Sequence, residues 1–345
     1  MNRTKTTIEG GHHIVRAITN IIKPNIGIIV VLVILFIFLS FSSHVFLTVN
    51  NLTNVLRQIS INTFLALGMT FVIILGGIDL SVGAVVAMSG TLTVGFIVNG
   101  GTPIPVAILL GLLLGMAVGF FNGVIVATFR LPAFIVTLAT MNIAQGIAYI
   151  YSGGSSTRIT NDAYTNIGTG EFMNIPLPVI YMFVLIIICS VLLMKTKFGT
   201  YVYAIGGNRE AARLSGVSIK KIEIAVFTLA GLLAGFAGIV LSARMFSGQP
   251  AVGAGYELDA IAACVLGGVS MSGGKGRISG TVFGAIVIGF ISNGLNLLGV
   301  SSFWQVLIKG VIILIAVLID SQKDAIHALV SKRKYKVNGG KKDEI

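Results

Sequence analysis

Charge is what this chain has least of: Asp, Glu, Lys and Arg together make up 10% of its 345 residues, against roughly 25% in soluble domains. So sparse a polar inventory cannot cover a water-facing surface, which excludes a soluble enzyme. A hydrophobic share of 55% excludes disorder. Cysteine is limited to Cys189 and Cys264, which lie in separate apolar segments without pairing or metal-ligand spacing and read as packing residues. The four histidines form no ligand set, and His12–His13 stands in a polar tail. No phosphate-cradling loop is complete. The nearest string, Gly268-Val269-Ser270-Met271-Ser272-Gly273-Gly274-Lys275-Gly276, has five residues between Gly268 and Gly274 where four are needed, and Gly276 where a hydroxyl should hold magnesium. It reads as a glycine-rich turn, so any ATP would be hydrolysed by another chain.

What the chain does hold is long apolar runs, with a mean hydropathy of +0.95 and 43 glycines. Glycine is normally ~7% of a sequence, and small residues let helices approach closely in lipid. A span needs about 20 apolar residues, and ten segments qualify as candidates: 26–47, 57–75, 80–98, 104–128, 132–150, 177–194, 223–244, 258–270, 278–298 and 301–320. The eighth is short, and so is either tilted into protein or a broken helix. The N-terminus resembles a signal peptide, but its apolar stretch is too long and no small-residue cleavage site follows, so it reads as an uncleaved first span.

The formal net charge of +12 is less informative than its placement. With the N-terminus inside, all of the 24 basic residues except Arg57, Arg158, Arg244 and Lys309 fall in cytoplasmic loops or tails, as the positive-inside rule requires. The expected fold is an all-α polytopic membrane protein of about ten transmembrane helices with both termini cytoplasmic. It divides into a tail at 1–25, a membrane domain at 26–320 with a cytoplasmic loop at 195–222, and a basic tail at 321–345. The loop at 152–176 is then external and carries no motif.

Small-residue ladders mark buried helix faces: Gly111, Gly115, Gly119 and Gly123, then Gly231 with Gly235 and Gly280 with Gly284. A spacing of four keeps them on nearly one face, and packing within one bundle is the plainer reading than a dimer seam. A weak repeat is also visible. Leu75-Gly76-Gly77-Ile78-Asp79-Leu80-Ser81 echoes Leu266-Gly267-Gly268-Val269-Ser270-Met271-Ser272, and Gly95–Gly100 echoes Gly289–Gly294 in the same order. Such pairs point to a duplicated transporter half, although Gly119–Gly123 matches the second motif out of register.

Few groups inside the spans can carry chemistry, and no acid pair or metal cluster suggests an intramembrane enzyme. Asp79 precedes the third span and is a candidate cap. Lys309 lies midway along the last span, where a charge needs a partner or water. Arg57, Arg244 and Glu257 fall at expected outer ends, a candidate rim for an external partner. Asn62, Thr63, Asn122, Asn142, Gln145, Asn293 and Asn296 are candidates for lining the route of a neutral hydroxylated solute. Interhelical hydrogen bonding is the plainer reading for any one of them.

The sharpest local feature lies between the sixth and seventh spans. Asn208 is a good N-cap for a short helix over Arg209–Ser215, and Gly216 is its stop. Glu210 in the first turn complements the helix dipole and pairs with Arg213 one turn on. So short a helix is unstable alone and must dock on its own loop or on a cytoplasmic partner.

Glu210-Ala211-Ala212-Arg213-Leu214-Ser215-Gly216 resembles the EAA-x-x-x-G cytoplasmic loop of ABC importer permeases. More specifically, the chain is similar to the ribose permease family of bacterial sugar importers through Gly77–Gly83, Gly255–Ala263, Gly273–Arg277 and Asn293–Val300. The likeness covers about residues 26 to 320. The Leu-Pro that ends the general importer motif is missing here. The resemblance implies a homodimeric permease of about ten helices in the bacterial inner membrane, bound to a cytoplasmic ATPase that holds ATP and magnesium and to an external sugar-binding protein. Asn208, Arg209, Glu210, Ala211, Ala212, Arg213, Leu214 and Gly216 would be its ATPase-coupling element, and ribose its most expected cargo. The alternative is a secondary transporter driven by protons or sodium. That class wants a protonatable acid near mid-span, where the only clear charge is Lys309.

Overall fold

The computed structural model describes residues 3–318 and Asp320, with side chains from Ile22 onward; the basic tail at 321–345 lies outside them. The described residues form α1 (Arg3–Ser42), α2 (Val49–Ile74), α3 (Val82–Val98), α4 (Ile104–Phe129), α5 (Ala133–Ser152), α6 (Asp162–Thr169), α7 (Leu177–Lys195), α8 (Lys197–Gly207), α9 (Arg209–Leu214), α10 (Ile219–Arg244), α11 (Tyr256–Leu266), α12 (Ile278–Leu297) and α13 (Ser302–Leu318). Seven of these, counting α1 from Ile22, are long and apolar enough to cross a membrane; α3 and α13 are shorter apolar helices. Five of the seven prolines sit at the starts of α4, α5 and α7, as Pro103, Pro105, Pro132, Pro176 and Pro178. There the missing N–H has no intrahelical partner to lose.

The layering is that of a membrane bundle. Helix α2 is buried from Ile59 to Ile74 and α3 along most of its length, while α1, α4, α5, α7 and α13 turn Ile34, Leu113, Ile143, Ile187 and Phe303 outward. At the centre stands α10, packed most extensively against α4, α3 and α2. Glycine makes that possible. A Cβ on Gly115 would lie 2.5 Å from the Gly231 carbonyl oxygen, one on Gly90 2.7 Å from that of Gly238, and one on Gly68 2.9 Å from Ala230 Cα. The ladders of α4 and α10 thus face each other within one chain, as their spacing predicts. Gly280 and Gly284 serve the α11–α12 contact in the same way.

The eighth expected span is a half-helix. α11 has 11 residues, about 16 Å of helix, and the chain reaches it by an irregular segment laid along α3. A Cβ on Gly248 would lie 2.9 Å from Thr91 Cα, and Gly253 touches the Gly83 carbonyl. Phe246, Gly253 and Gly255 all take positive φ on the way.

The two strings of the first repeat occupy similar but offset places. Each follows a buried helix, α2 or α11, but the left-handed glycine is the first of the pair in one string, Gly76 at φ +94°, and the second in the other, Gly268 at φ +81°. The second pair diverges, because Asn99 and Gly100 follow the end of α3 whereas Asn293 and Gly294 lie within α12.

At one end of the bundle, which we call the basic end, α2 stops against α8 and the 267–277 turn. The Gly274 N–H donates to the Ile74 carbonyl at 2.8 Å, satisfying a carbonyl that the helix leaves unpaired. Gly273 and Gly274 take φ +81° and +69° to allow this approach, so the glycine-rich string has a packing role. At the opposite end, α6 folds onto α10, with the Tyr164 hydroxyl 2.7 Å from Ser242 Oγ. Two short antiparallel pairs complete that end: β1 (Thr157–Arg158) with β4 (Ser247–Gly248), and β2 (Glu171–Phe172) with β3 (Ile175–Pro176).

Candidate functional site

At the basic end, α9 has the local structure that its sequence specifies. The Asn208 side chain accepts from the Ala211 N–H at 2.9 Å, and Arg213 Nε donates to Glu210 at 2.9 Å. Gly216 takes φ +82°, with its N–H bonded to the Arg213 carbonyl and that of Val217 to the Ala212 carbonyl. This is the paired closing pattern that a left-handed glycine allows. The helix ends at Leu214, with Ser215 as its C-cap, one residue short of expectation. Ala212 is buried, whereas Leu214 is 79% exposed, so one face of α9 docks and the other is open.

Its docking to the bundle rests on an ion pair that the sequence did not signal. Arg209 donates to both oxygens of Glu223, at 2.5 and 3.1 Å. Glu223 stands in the first turns of α10 and is buried. The hydrogen bonds to Glu223 hold the Arg209 guanidinium above its usual pKa, and two-point contact fixes orientation as well as distance. The pair therefore ties α9 directly to the central helix. Arg209 and Glu223 also line a cavity of about 230 Å³ with Gly76, Gly77 and Arg130, which brings the α2–α3 and α4–α5 turns to the same place.

Most of the seven polar residues singled out in the spans have hydrogen-bond partners within the bundle. Asn122 joins a buried chain in which it donates to Ser81 Oγ at 3.0 Å and accepts from Thr140 at 2.7 Å. Asn293 pairs reciprocally with Asn51, at 2.9 and 3.3 Å. Gln145 donates to the Pro250 carbonyl, and Asn296 accepts from Gln305 at 2.8 Å. Thr63 and Asn142 bond carbonyls of their own helices, those of Ile59 and Leu138, with Asn142 exposed on the outer face of α5. Asn62 is buried with no partner for its Nδ2.

Asp79 does not cap α3. Its N-cap is Ser81, whose side chain makes no capping bond; Asp79 instead accepts from the Ser81 N–H at 2.9 Å and from its hydroxyl at 2.6 Å. Asp79, Ser81, Asn122 and Thr140 thereby form one buried relay from the α2–α3 turn to α4 and α5. The Asp79 Oδ2 that remains has no partner. Lys309 has one: its ammonium lies 2.7 Å from Asp259 Oδ2 and joins α13 to the half-helix α11.

At the opposite end, Arg57 donates to Glu171 at 2.8 Å and to the Thr169 carbonyl at 2.9 Å, pinning the β2–β3 hairpin. Arg244 donates to the Asn54 carbonyl at 3.5 Å. Glu257 does not join them. It accepts from the Gly255 N–H at 3.1 Å at the start of α11, with its other oxygen against Gly83 of α3.

A helical bundle with a half-span, buried polar relays and a short helix clamped at one end is the architecture of a multi-pass membrane permease. The chain belongs to the family described as branched-chain amino acid transport system / permease component, which matches residues 51–317. It is 48% identical over 306 residues to the ribose import permease protein RbsC of Bacillus subtilis (strain 168), covering 88% of this chain and 95% of that one. To the protein of the same name in Escherichia coli (strain K12) it is 46% identical over 327 residues, 93% of this chain and 99% of the other. The L-arabinose transport system permease protein AraH of Escherichia coli (strain K12) is 41% identical over 297 residues, 86% and 90% of the two chains. No solved structure matches the chain.

Proposed function

We propose that this chain is the membrane-spanning subunit of an ATP-driven importer that carries ribose into the cytoplasm by alternating access. The observation that carries the reading is the 48% identity to a ribose import permease across 95% of that protein. On this reading α1 from Ile22, α2, α3, α4, α5, α7, α10, α11 with its approach segment, α12 and α13 are the ten spans. The basic end faces the cytoplasm, which agrees with the placement of Arg130, Lys195, Lys197 and Lys275. A separate ATPase holds the ATP and magnesium and presses on α9, and Arg209 passes that motion through Glu223 to α10. A second permease copy completes the pathway. An external sugar-binding protein docks at the opposite end, where Arg57 and Arg244 stand beside the β2–β3 hairpin, and the binding protein makes most of the choice of sugar. Each partner has to favour one state of the bundle over the other for transport to follow.

Uptake of radiolabelled sugar tests the cargo, in a bacterial strain that lacks its own ribose permease but keeps the cognate binding protein and ATPase. This chain is expected to restore ribose accumulation and to leave arabinose accumulation at the background level. Restoration of arabinose but not of ribose accumulation, with the arabinose partners supplied instead, would move the assignment to the other sugar.

A further inference from the structure

At the end of the bundle opposite α9, helix α10 stops on a phenylalanine where glycine is the usual residue. Phe246 follows the C-cap Met245 and takes φ +54°, a conformation that strains a bulky side chain. Its backbone is held there from both sides. The Phe246 N–H donates to the Ala243 carbonyl at 3.3 Å, and its carbonyl accepts from the Ile159 N–H at 2.9 Å. A glycine would make both bonds without strain. Burial does not offset the cost, because Phe246 is 48% exposed. Strain of this kind collects at ligand clamps, so the ring itself is the feature to explain.

That ring walls a cleft of about 520 Å³, a volume within the range of small-molecule sites. Asp162, Thr165, Asn166 and Thr169 of α6 line the same cleft, and steps of three and four put them on one side of the helix. Elsewhere α6 is seated on α10: the Tyr164 hydroxyl lies 2.7 Å from Ser242 Oγ, and Gly168 packs on the Arg244 backbone. Thr165 and Thr169 donate to the carbonyls of Asp162 and Thr165, at 3.4 and 2.9 Å, and so offer lone pairs to the cleft. The Asp162 carboxylate and the Asn166 amide make no hydrogen bond among the described residues. One apolar ring thus stands beside several acceptors and one amide donor.

This combination selects among ligands. A monosaccharide has an apolar face of C–H groups, which packs on a phenyl ring, and a rim of vicinal hydroxyls. One carboxylate can accept from two neighbouring hydroxyls, while an amide both accepts and donates. An acyl chain would desolvate Asp162 and Asn166 without pairing them, and a cation cannot accept from the amide. We propose that the cleft between α6 and Phe246 binds a neutral polyol of monosaccharide size, its C–H face on the ring and its hydroxyls on Asp162 and Asn166. Such a site binds sugar whether or not the chain transports it, so failure of one reading leaves the other standing.

Protection of a cysteine placed in the cleft tests the site, on the full chain in neutral detergent. Ala163 is exposed and lines the cleft, and Cys189 and Cys264 are buried, so a maleimide should label Ala163→Cys alone. D-Ribose and L-arabinose should each slow that labelling. Neither should affect Ser155→Cys, in the exposed loop after α5 and outside the cleft. In the Ala163→Cys background, Phe246→Gly should fold in parental yield and raise the half-protecting sugar concentration about fivefold, the scale of one aromatic packing contact. Asn166→Leu should raise it likewise, and decides the matter where Phe246→Gly fails to fold. Labelling that neither sugar slows overturns the proposal, as does equal slowing at Ser155→Cys. Unchanged protection in the variants would reduce the ring to a helix stop. Slowing by choline but by neither sugar would make the cleft a cation site, and slowing only by a sugar-loaded binding protein would make it a docking surface.

Discussion

Lys309 and Asp259 show what a single charge inside a span demands. An ammonium there needs a counter-ion or water, and the fold supplies a carboxylate 2.7 Å away from a residue 50 positions earlier. Removing one partner of a buried pair strands the other, at about 3–5 kcal/mol when both are fully buried. Lys309 keeps 28% of its side chain exposed, and solvent screening reduces that figure, so Lys309→Met should cost about 2 kcal/mol. Thermal unfolding in detergent micelles reads this loss, and the double variant Lys309→Met, Asp259→Asn should recover most of it. Additive losses in the two single variants would mean that the pair is not coupled. At this scale the sequence states the need and hides the partner, because a contact between α11 and α13 leaves no local pattern. The polar residues are opaque for a related reason. An asparagine that bonds a neighbouring helix and one that faces a solute look identical in sequence, and Asn122 and Asn293 prove to be bonded across helices.

Elements were legible wherever spacing or capping is local. The cap, ion pair and left-handed stop of α9 follow from nine consecutive residues, Asn208 to Gly216, and the glycine ladders of α4 and α10 from a period of four. Helices α6 and α8 were not anticipated, although α6 carries its own signals: Asn161 accepts from the Ala163 N–H at 3.0 Å, and Tyr164, Ile167 and Gly168 share one face. The half-helix α11 was legible only as a span too short to cross. The glycine seam yields a paired prediction. Gly115→Leu must force α4 from α10, since even a Cβ would lie 2.5 Å from the Gly231 carbonyl oxygen, whereas Gly146 on α5 has nothing within 4 Å. Expression with detergent extraction should show little folded Gly115→Leu protein and near-parental amounts of Gly146→Leu. Equal yields would contradict the seam.

For α9, Gly216→Val places a β-branched residue at φ +82°, where such side chains are strained. Glu210→Lys opposes the helix dipole by about 0.3–1 kcal/mol and also breaks the pair with Arg213. Both positions are exposed, so membrane levels should stay normal. Sugar uptake and co-purification of the ATPase should both fall steeply. Parental uptake with full ATPase recovery in both variants would reduce α9 to a solvated loop.

The whole molecule joins these parts into one path. α9 is clamped to α10 through Arg209 and Glu223, and α10 packs through glycine on α2, α3 and α4. Close backbone contact without flexible side chains transmits displacement instead of absorbing it. The clamp and the glycine seam thus connect the basic end to the helices that carry the buried polar relay. Membrane class was legible from composition alone. The arrangement of helices around α10 was not, because every apolar span satisfies the bilayer equally well and only long-range glycine contacts distinguish neighbours.

Energy coupling is the claim on which this account turns, and transport by the purified system in proteoliposomes tests it most directly. The chain would be reconstituted with its partner ATPase, ATP inside the vesicles, and the loaded sugar-binding protein outside. Labelled ribose should then accumulate only with hydrolysable ATP, continue when ionophores collapse the proton and sodium gradients, and stop when Arg209→Gln or Gly216→Val replaces the parental chain. Accumulation that persists without ATP and disappears when the gradients are collapsed would contradict the account and establish an ion-coupled transporter.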